Sequence, residues 1–323
     1  MNDFTELVNL ASERLGAVAL AANDEFFAAK ENLLRDAEPV WREGEYTERG
    51  KWMDGWETRR RREPGLDWCL VRLALPGIVR GVVVDTTHFR GNFPEACSLE
   101  AAELASDPPA GADLATLGFR QILPRRELSG DARNAFAVDG APRATHLLLR
   151  IDPDGGVARL RVHGEVTPDW QRLAAAPEVD LAAVENGGRV LAASDMFFGP
   201  RHHLIYPGPP RGMFDGWETK RRRGPGNDWA VVGLGAPGTI HRAVVDTSFF
   251  KGNAPGAFAL AGTPAAAGDE EWCEILPRTP LAPDREHVFT GELVPHAPVA
   301  RVRLDIYPDG GVARLRLFGR PTP

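Results

Sequence analysis

The sequence predicts an all-β protein built from two tandem antiparallel β-sandwiches. Three observations predict it. Residues 54–62, Asp-Gly-Trp-Glu-Thr-Arg-Arg-Arg-Arg, return at 215–223 with one change, Arg59 to Lys220. The run Pro153 to Arg161, Pro-Asp-Gly-Gly-Val-Ala-Arg-Leu-Arg, returns unchanged at Pro308 to Arg316. Between these landmarks the apolar stretches are short, alternating or β-branched, and they stop at Gly/Pro turns.

The elements follow in order. Phe4, Leu7, Val8 and Ala11 fall on one side of a helix over Phe4–Arg14, the one persuasive helical pattern in the unit. Asp24-Glu25-Phe26-Phe27 pairs with Asp195-Met196-Phe197-Phe198 at an offset of 171, whereas the nine-residue motif repeats at 161. A changing offset means that loops differ in length on a repeated framework. Leu66–Leu75 reads as a strand that stops at the Pro76-Gly77 turn signal, and Ile78–Val84 reads as the next strand. Val84-Asp85-Thr86 and Gly91-Asn92 recur as Val245-Asp246-Thr247 and Gly252-Asn253, and Ile122–Arg125 recurs as Ile275–Arg278. His146–Ile151 and Val157–Val162 flank Pro153-Asp154-Gly155-Gly156 and predict a hairpin. Each unit is about 150 residues, enough for its own core. The first spans 1–164, residues 165–179 form a Pro- and Ala-rich linker, and the second spans 180–323. A jelly roll is one sandwich of this kind. The pattern does not give the strand order.

Composition narrows the function. The 323 residues carry a net charge of −7, so the Arg clusters are local features on an acidic chain and nucleic acid is not the expected partner. Cys69, Cys97 and Cys273 are too few and too scattered for a disulfide framework. The apolar run Gly16–Ala22 is too short to span a membrane, and no basic segment precedes it as in a signal peptide. The expectation is a cytoplasmic protein without a membrane partner.

Taken together, the doubled Asp-Gly-Trp-Glu-Thr-(Arg/Lys)-Arg-Arg, Val-Asp-Thr-x-x-Phe-x-Gly-Asn, Asp-x-Phe-Phe, Ile-Leu-Pro-Arg and Pro-Asp-Gly-Gly-x-Ala-Arg-Leu-Arg segments resemble the allantoicase family. The resemblance covers nearly the whole chain. It implies two jelly-roll domains of the galactose-binding-like type, homo-oligomers, and hydrolysis of allantoate to ureidoglycolate and urea in purine degradation. It assigns no residue roles, so the site is argued from chemistry.

Allantoate is a small anion with one carboxylate and two ureido arms. Arginine forks suit the carboxylate, and Asp, Glu and Asn suit the urea groups. Loss of urea needs a proton donor, and water needs a base. The expected catalytic residues are His88, Glu57 and Asp85. The expected substrate-binding residues are Asp54, Arg59, Arg60 and Asn92, with Asp215, Glu218, Arg221, Asp246 and Asn253 from the second copy. His88 is singled out because Phe249 stands opposite it in the second copy, and histidine titrates near neutral pH. Arg61, Arg62, Arg222 and Arg223 are expected on a solvated face, as are Arg159, Arg161, Arg314 and Arg316. Trp56 and Trp217 are expected to pack on Gly55 and Gly216. Asp154 and Asp309 are expected to form turns, and loop closure is an equal reading for Asp85 and Asp246.

No cofactor is expected, and a divalent metal stays open because no ligand spacing marks one. Two other functions remain on this reading. One is a sandwich that binds a sugar or a small anion without chemistry. The other is an amidohydrolase that attacks the ureido carbonyl and releases ammonia, a reaction that usually recruits a metal-bound hydroxide.

Overall fold

The computed structural model describes residues 4–264 and 271–322. Its internal contacts divide the chain into two units, Met1–Thr167 and Pro168–Pro323. Each unit is a jelly-roll sandwich of eight antiparallel strands.

In the first unit the strands are β1 (Val8–Asn9), β2 (Val18–Ala22), β3 (Asp67–Asp85), β4 (Ala96–Ala102), β5 (Arg120–Glu127), β6 (Arg133–Ala137), β7 (Arg143–Asp152) and β8 (Arg159–Val166). The hydrogen-bonded order is β1-β8-β3-β7-β4-β5, with β2 and β6 also on β3. β3 organises the unit. Its first half pairs with β7 and β2, and its second half pairs with β8 and β6. One strand therefore belongs to both layers.

The expectation of two strands broken at Pro76-Gly77 is corrected here. Asp67–Asp85 is a single strand of 19 residues, and Pro76-Gly77 marks where it changes partners. Gly77 is needed there because a Cβ would lie 2.5 Å from the Glu165 carbonyl oxygen. The apolar faces of both halves meet in one core: Cys69, Val71 and Leu73 from the first, Val79, Val82 and Val84 from the second. Leu147, Leu149 and Ile151 of β7 and Leu160 and Val162 of β8 complete it. Each such branched side chain contributes about 1.5–3 kcal/mol when fully buried.

Two further expectations are corrected. β7 and β8 do not pair as a hairpin; each pairs with β3, and the turn between them crosses from one layer to the other. The Phe4–Arg14 helix is absent. Only Phe4–Glu6 and Glu13–Leu15 form 3-10 turns, while Val8 and Asn9 pair with Gly164 and His163. That pairing holds the local pattern in strand geometry, with Leu10 fully buried beside it. Glu165 and Val166 continue β8, and Trp170–Ala174 forms a short helix.

The second unit repeats the plan with β9 (Val179–Asp180), β10 (Arg189–Ala193), β11 (Asp228–Asp246), β12 (Ala257–Thr263), β13 (Cys273–Pro280), β14 (Glu286–Phe289), β15 (Val299–Tyr307) and β16 (Arg314–Pro321). Its order is β9-β16-β11-β15-β12-β13, with β10 and β14 on β11.

Candidate functional site

The nine-residue motif lies in the loops at one end of each sandwich. Its middle forms a short ladder in which Trp56 faces Val157 and Glu57 faces Gly156. Trp56 is fully buried and its indole N–H donates to the Asp24 carbonyl at 2.8 Å. Trp217 does the same to Asp195 at 2.8 Å. Gly156 must lack a side chain, since a Cβ would sit 2.0 Å from the Phe89 ring. Phe89 thus carries the loop that holds His88 against the ladder that holds Glu57.

The structure separates the predicted residues into four places. The first is an interior ion pair. Asp54 and Asp215, expected to touch substrate, are instead 7% and 3% exposed. Asp54 accepts from Arg159 Nη2 at 2.8 Å, from the Val40 N–H at 3.0 Å and from Arg35 Nη1 at 3.3 Å. Asp215 repeats the pairing with Arg314 at 2.9 Å. Burial pushes the Asp54 carboxyl up, but the Arg159 hydrogen bond, the Val40 N–H and the charges of Arg159 and Arg35 outweigh it and hold it below the ordinary carboxylate range. Arg159 and Arg314, expected on the surface, are 1% and 2% exposed. Arg161 is also largely buried, and its Nη2 donates to the Asp36 carbonyl at 2.9 Å.

The second place is an Arg-lined depression of about 670 Å³ bordered by Asn23, Asp24, Arg59–Arg62, Glu63 and Asp67. Arg59 is pinned to Asp24 Oδ2 through Nε at 2.6 Å and Nη2 at 2.6 Å, with 64% of its side chain exposed. Arg60 is exposed on the same rim, and Arg221 is exposed in the second unit. Arg61 and Arg222, expected to be solvated, are instead paired with the buried Asp67 and Asp228. Their backbone N–H groups donate to Asp154 and Asp309 at 2.8 Å.

The third place is the end of β3. Asp85 accepts from the Thr87 N–H at 2.8 Å and faces Arg133 at 3.8 Å. Asp246 accepts from the Ser248 N–H in the same way at 2.8 Å. Asp85 borders a cavity of about 470 Å³ with Asp36, Glu38, Arg133, Arg161 and His163. Sequence reading missed Glu38 and Arg133, whose sequence neighbours carry no repeated motif, and His163, which lies two residues beyond the repeated run and has Phe318 at the matching place in the second copy.

The fourth place brings Glu57 and Asn92 together. Asn92 Nδ2 donates to Glu57 Oε1 at 2.7 Å, and Asn253 Nδ2 donates to Glu218 Oε1 at 2.6 Å. Burial raises the Glu57 carboxyl above its ordinary range, and the Asn92 hydrogen bond only partly offsets this. The Glu57 backbone bonds to Phe27 and Ala28, which fixes the side chain's origin. Four residues before Asn92 and Asn253 in the same loops, His88 holds a left-handed φ of 70° and Phe249 one of 72°. Their N–H groups donate to Asp131 and Asp284 at 2.8 Å. The backbone is therefore duplicated and only the side chain differs. His88 Nε2 lies 3.3 Å from the Pro39 carbonyl, and its ring centroid lies 5.7 Å from that of Trp41.

Trp41 belongs to the largest difference between the units. Val40 and Arg211 are equivalent, since each donates its N–H to the motif Asp. Thirteen residues, 41–53, then precede Asp54, whereas only Gly212, Met213 and Phe214 precede Asp215. The longer segment forms a small hairpin, Tyr46–Thr47 with Gly50–Lys51. Lys51 Nζ stands 4.0 Å over Trp41, and Arg49 stands 5.5 Å over Phe26. Among the described residues, no three His, Cys, Asp or Glu side chains converge as a metal-binding set.

A family model described as "Allantoicase repeat" matches residues 8–167 and 179–322. A probable allantoicase of Nocardia farcinica (strain IFM 10152) is 51% identical over 317 residues, covering 98% of this chain and 95% of that one. One of Pseudomonas paraeruginosa (strain DSM 24068 / PA7) is 46% identical, covering 98% and 97%. The crystal structure of allantoicase from Saccharomyces cerevisiae superposes with a TM-score of 0.83 at 35% identity, covering 97% of this chain and 92% of that one.

Proposed function

The chain belongs to the allantoicase family and is an allantoate amidinohydrolase, a hydrolase of carbon–nitrogen bonds in linear amidines; we propose that it reacts at the Glu57–Asn92 pair of the first unit. The observation that carries this reading is a half-buried carboxyl whose proton affinity is raised by burial and whose Oε1 is held by an amide. A carboxyl tuned upward is suited to give a proton and take one back.

On this reading Glu57 Oε2 protonates the departing ureido nitrogen as the bond to the central carbon breaks. Urea leaves. Water adds to the central carbon and returns its proton to Glu57, so ureidoglycolate and urea form with no net proton change at the enzyme. Arg59 and Arg60 lie two and three residues along the same segment and supply cations for the substrate carboxylate. Asp24 fixes the Arg59 fork in place. His88 lines the approach with Trp41, and its role is to position the substrate or to relay a proton. The copy built on Glu218, Asn253 and Arg221 lacks both His88 and the inserted hairpin, which favours the first unit as the working one. We also read the protein as a cytoplasmic homo-oligomer. In support of the compartment, Cys69, Cys97 and Cys273 are free thiols, as a reducing compartment keeps them. No described helix is long and apolar enough to cross a membrane.

The test is product analysis. Wild type and Glu57→Gln are incubated with allantoate, with and without a chelator, and urea, ureidoglycolate and ammonia are quantified. Urea from wild type and a fall of about 10²–10⁴ in kcat for Glu57→Gln fit the reading. Full activity in Glu57→Gln contradicts it.

A further inference from the structure

The cavity at the end of the long strand exists in both units, and in the second it is more acidic. There it measures about 440 Å³ and is bordered by Asp246 of β11, Glu286 of β14, Asp180 of β9, Arg316 of β16 and Glu185. Strand pairing fixes the correspondence. Asp85 faces Arg133 across β3 and β6, and Asp246 faces Glu286 across β11 and β14. Asn9 faces His163 where Asp180 faces Phe318. The offset of 171 that relates Asn9 to Asp180 also relates Arg14 to Glu185. Asn9, Arg14 and Arg133 are thus replaced by Asp180, Glu185 and Glu286. In exchange Asp36 and Glu38 give way to Pro207 and Pro209. The balance moves toward acid.

The cations around this cavity are already engaged. Arg314 is held by Asp215 at 2.9 Å. Arg316 faces Asp180 at 3.7 Å and donates to the Gly208 carbonyl at 3.1 Å. Arg242, stacked on Phe318 at 3.6 Å, pairs with Glu178. Arg285, next to Glu286 in sequence, does not border the cavity. Three carboxylates are left over. Asp246 is 5% exposed, and its Oδ1 accepts the Ser248 N–H at 2.8 Å. Its Oδ2 has no hydrogen-bond partner among the described residues. In the first unit the matching oxygen of Asp85 faces Arg133 at 3.8 Å. Glu185 Oε2 is buried with no hydrogen-bond partner. Glu286 is exposed and forms no ion pair among the described residues.

Like charges directly opposite on paired strands repel, and a buried carboxylate calls for a partner. Among the described residues no three acids or histidines converge as a metal-binding set, and the cavity has room for an organic cation. Two carboxylates side by side match the fork of a guanidinium. We propose that this cavity of the second unit binds a small organic cation that carries a guanidinium group, with the fork bridging Asp246 and Glu286. The same charge repels an anion such as allantoate, so this ligand is not the substrate.

The test is isothermal titration calorimetry with methylguanidinium chloride, with potassium chloride at matched concentration as the blank. Glu286→Arg and Glu185→Arg each place the first unit's residue in the second unit's cavity. Glu38→Arg makes the same charge change in the first unit's cavity. The thermal midpoint and the circular dichroism of each confirm that it folds, and Glu286→Gln repeats the test with a milder change. The proposal predicts one saturable site per chain in wild type and in Glu38→Arg. It predicts binding weaker by about tenfold or more in Glu286→Arg and Glu185→Arg, with a smaller loss in Glu286→Gln. No saturable binding in wild type would overturn the proposal. Unchanged affinity in Glu286→Arg would overturn it as well. Equal weakening in Glu38→Arg and Glu286→Arg would reduce the binding to a general attraction for an acidic chain and would overturn the assigned site.

Discussion

The two units share a framework and differ at its loop end. Each has a long strand that serves both layers, a buried indole bonded to the same carbonyl, an Asp–Arg pair in the interior and a Glu–Asn pair at 2.7 or 2.6 Å. They diverge in the loop between the fixed Val40 or Arg211 contact and the motif Asp, and in the residue at the left-handed position, His88 or Phe249. The lesson is that the doubled motif is mostly scaffold. Asp54, Trp56, Thr58 and Arg61 are consumed in holding the loop end together, Arg59 and Arg60 stay exposed, and Glu57 is the acid left partly exposed with a raised proton affinity.

The largest expected effect tests the shared part. Arg159→Met and Arg314→Met each leave a buried aspartate uncompensated and should each cost about 3–5 kcal/mol, read from urea unfolding. A loss in one unit only would break the equivalence. The linked pH effect has a definite sign. The folded Asp54 carboxyl lies below its unfolded value, so its stabilisation is present above the unfolded value and is lost as pH falls through the folded one. Arg159→Met should remove that acid limb from the stability profile.

Next come the residues that differ. His88→Ala should lower kcat/KM by about tenfold or more through lost positioning or proton relay, while Phe249→Ala should leave it within about twofold. Equal small changes in steady-state assays would remove His88 from the site. The smallest expected effect is on stability. Glu57 has a raised folded pKa, so its ionised form is the disfavoured one. Its contribution to stability is greatest below the unfolded value and declines as pH rises through the folded value. Glu57→Gln should therefore be slightly more stable than wild type at neutral pH, with a flatter profile. A less stable variant would mean that the carboxylate is a structural anchor.

Much of this was legible in the sequence. The duplication, the sandwich class and the packing role of the tryptophans follow from local pattern and the repeat, whereas Asp154, expected to form a turn, holds the Arg61 N–H 93 residues away. The rest depended on partners far away in the chain. Pro76-Gly77 reads locally as a stop, yet β3 continues because β7 and β8 take over on either side of it. Arg159 alternates like a surface residue, and only its contact with Asp54, 105 positions earlier, places it inside. Val8 fits a helical stripe with Phe4, Leu7 and Ala11 until its pairing with β8 is known. Glu57 was legible as a candidate, but its burial and its bond to Asn92 needed the fold.

The central claim is that Glu57 of the first unit, and not Glu218 of the second, carries the reacting proton. The most direct measurement is the pH dependence of kcat for Glu57→Gln and Glu218→Gln beside wild type. The account predicts that activity in wild type and Glu218→Gln falls as pH rises through the raised Glu57 value, because the donor loses its proton. In Glu57→Gln that limb should vanish and turnover should drop by about 10²–10⁴. An unchanged limb in Glu57→Gln, or a loss confined to Glu218→Gln, would contradict it.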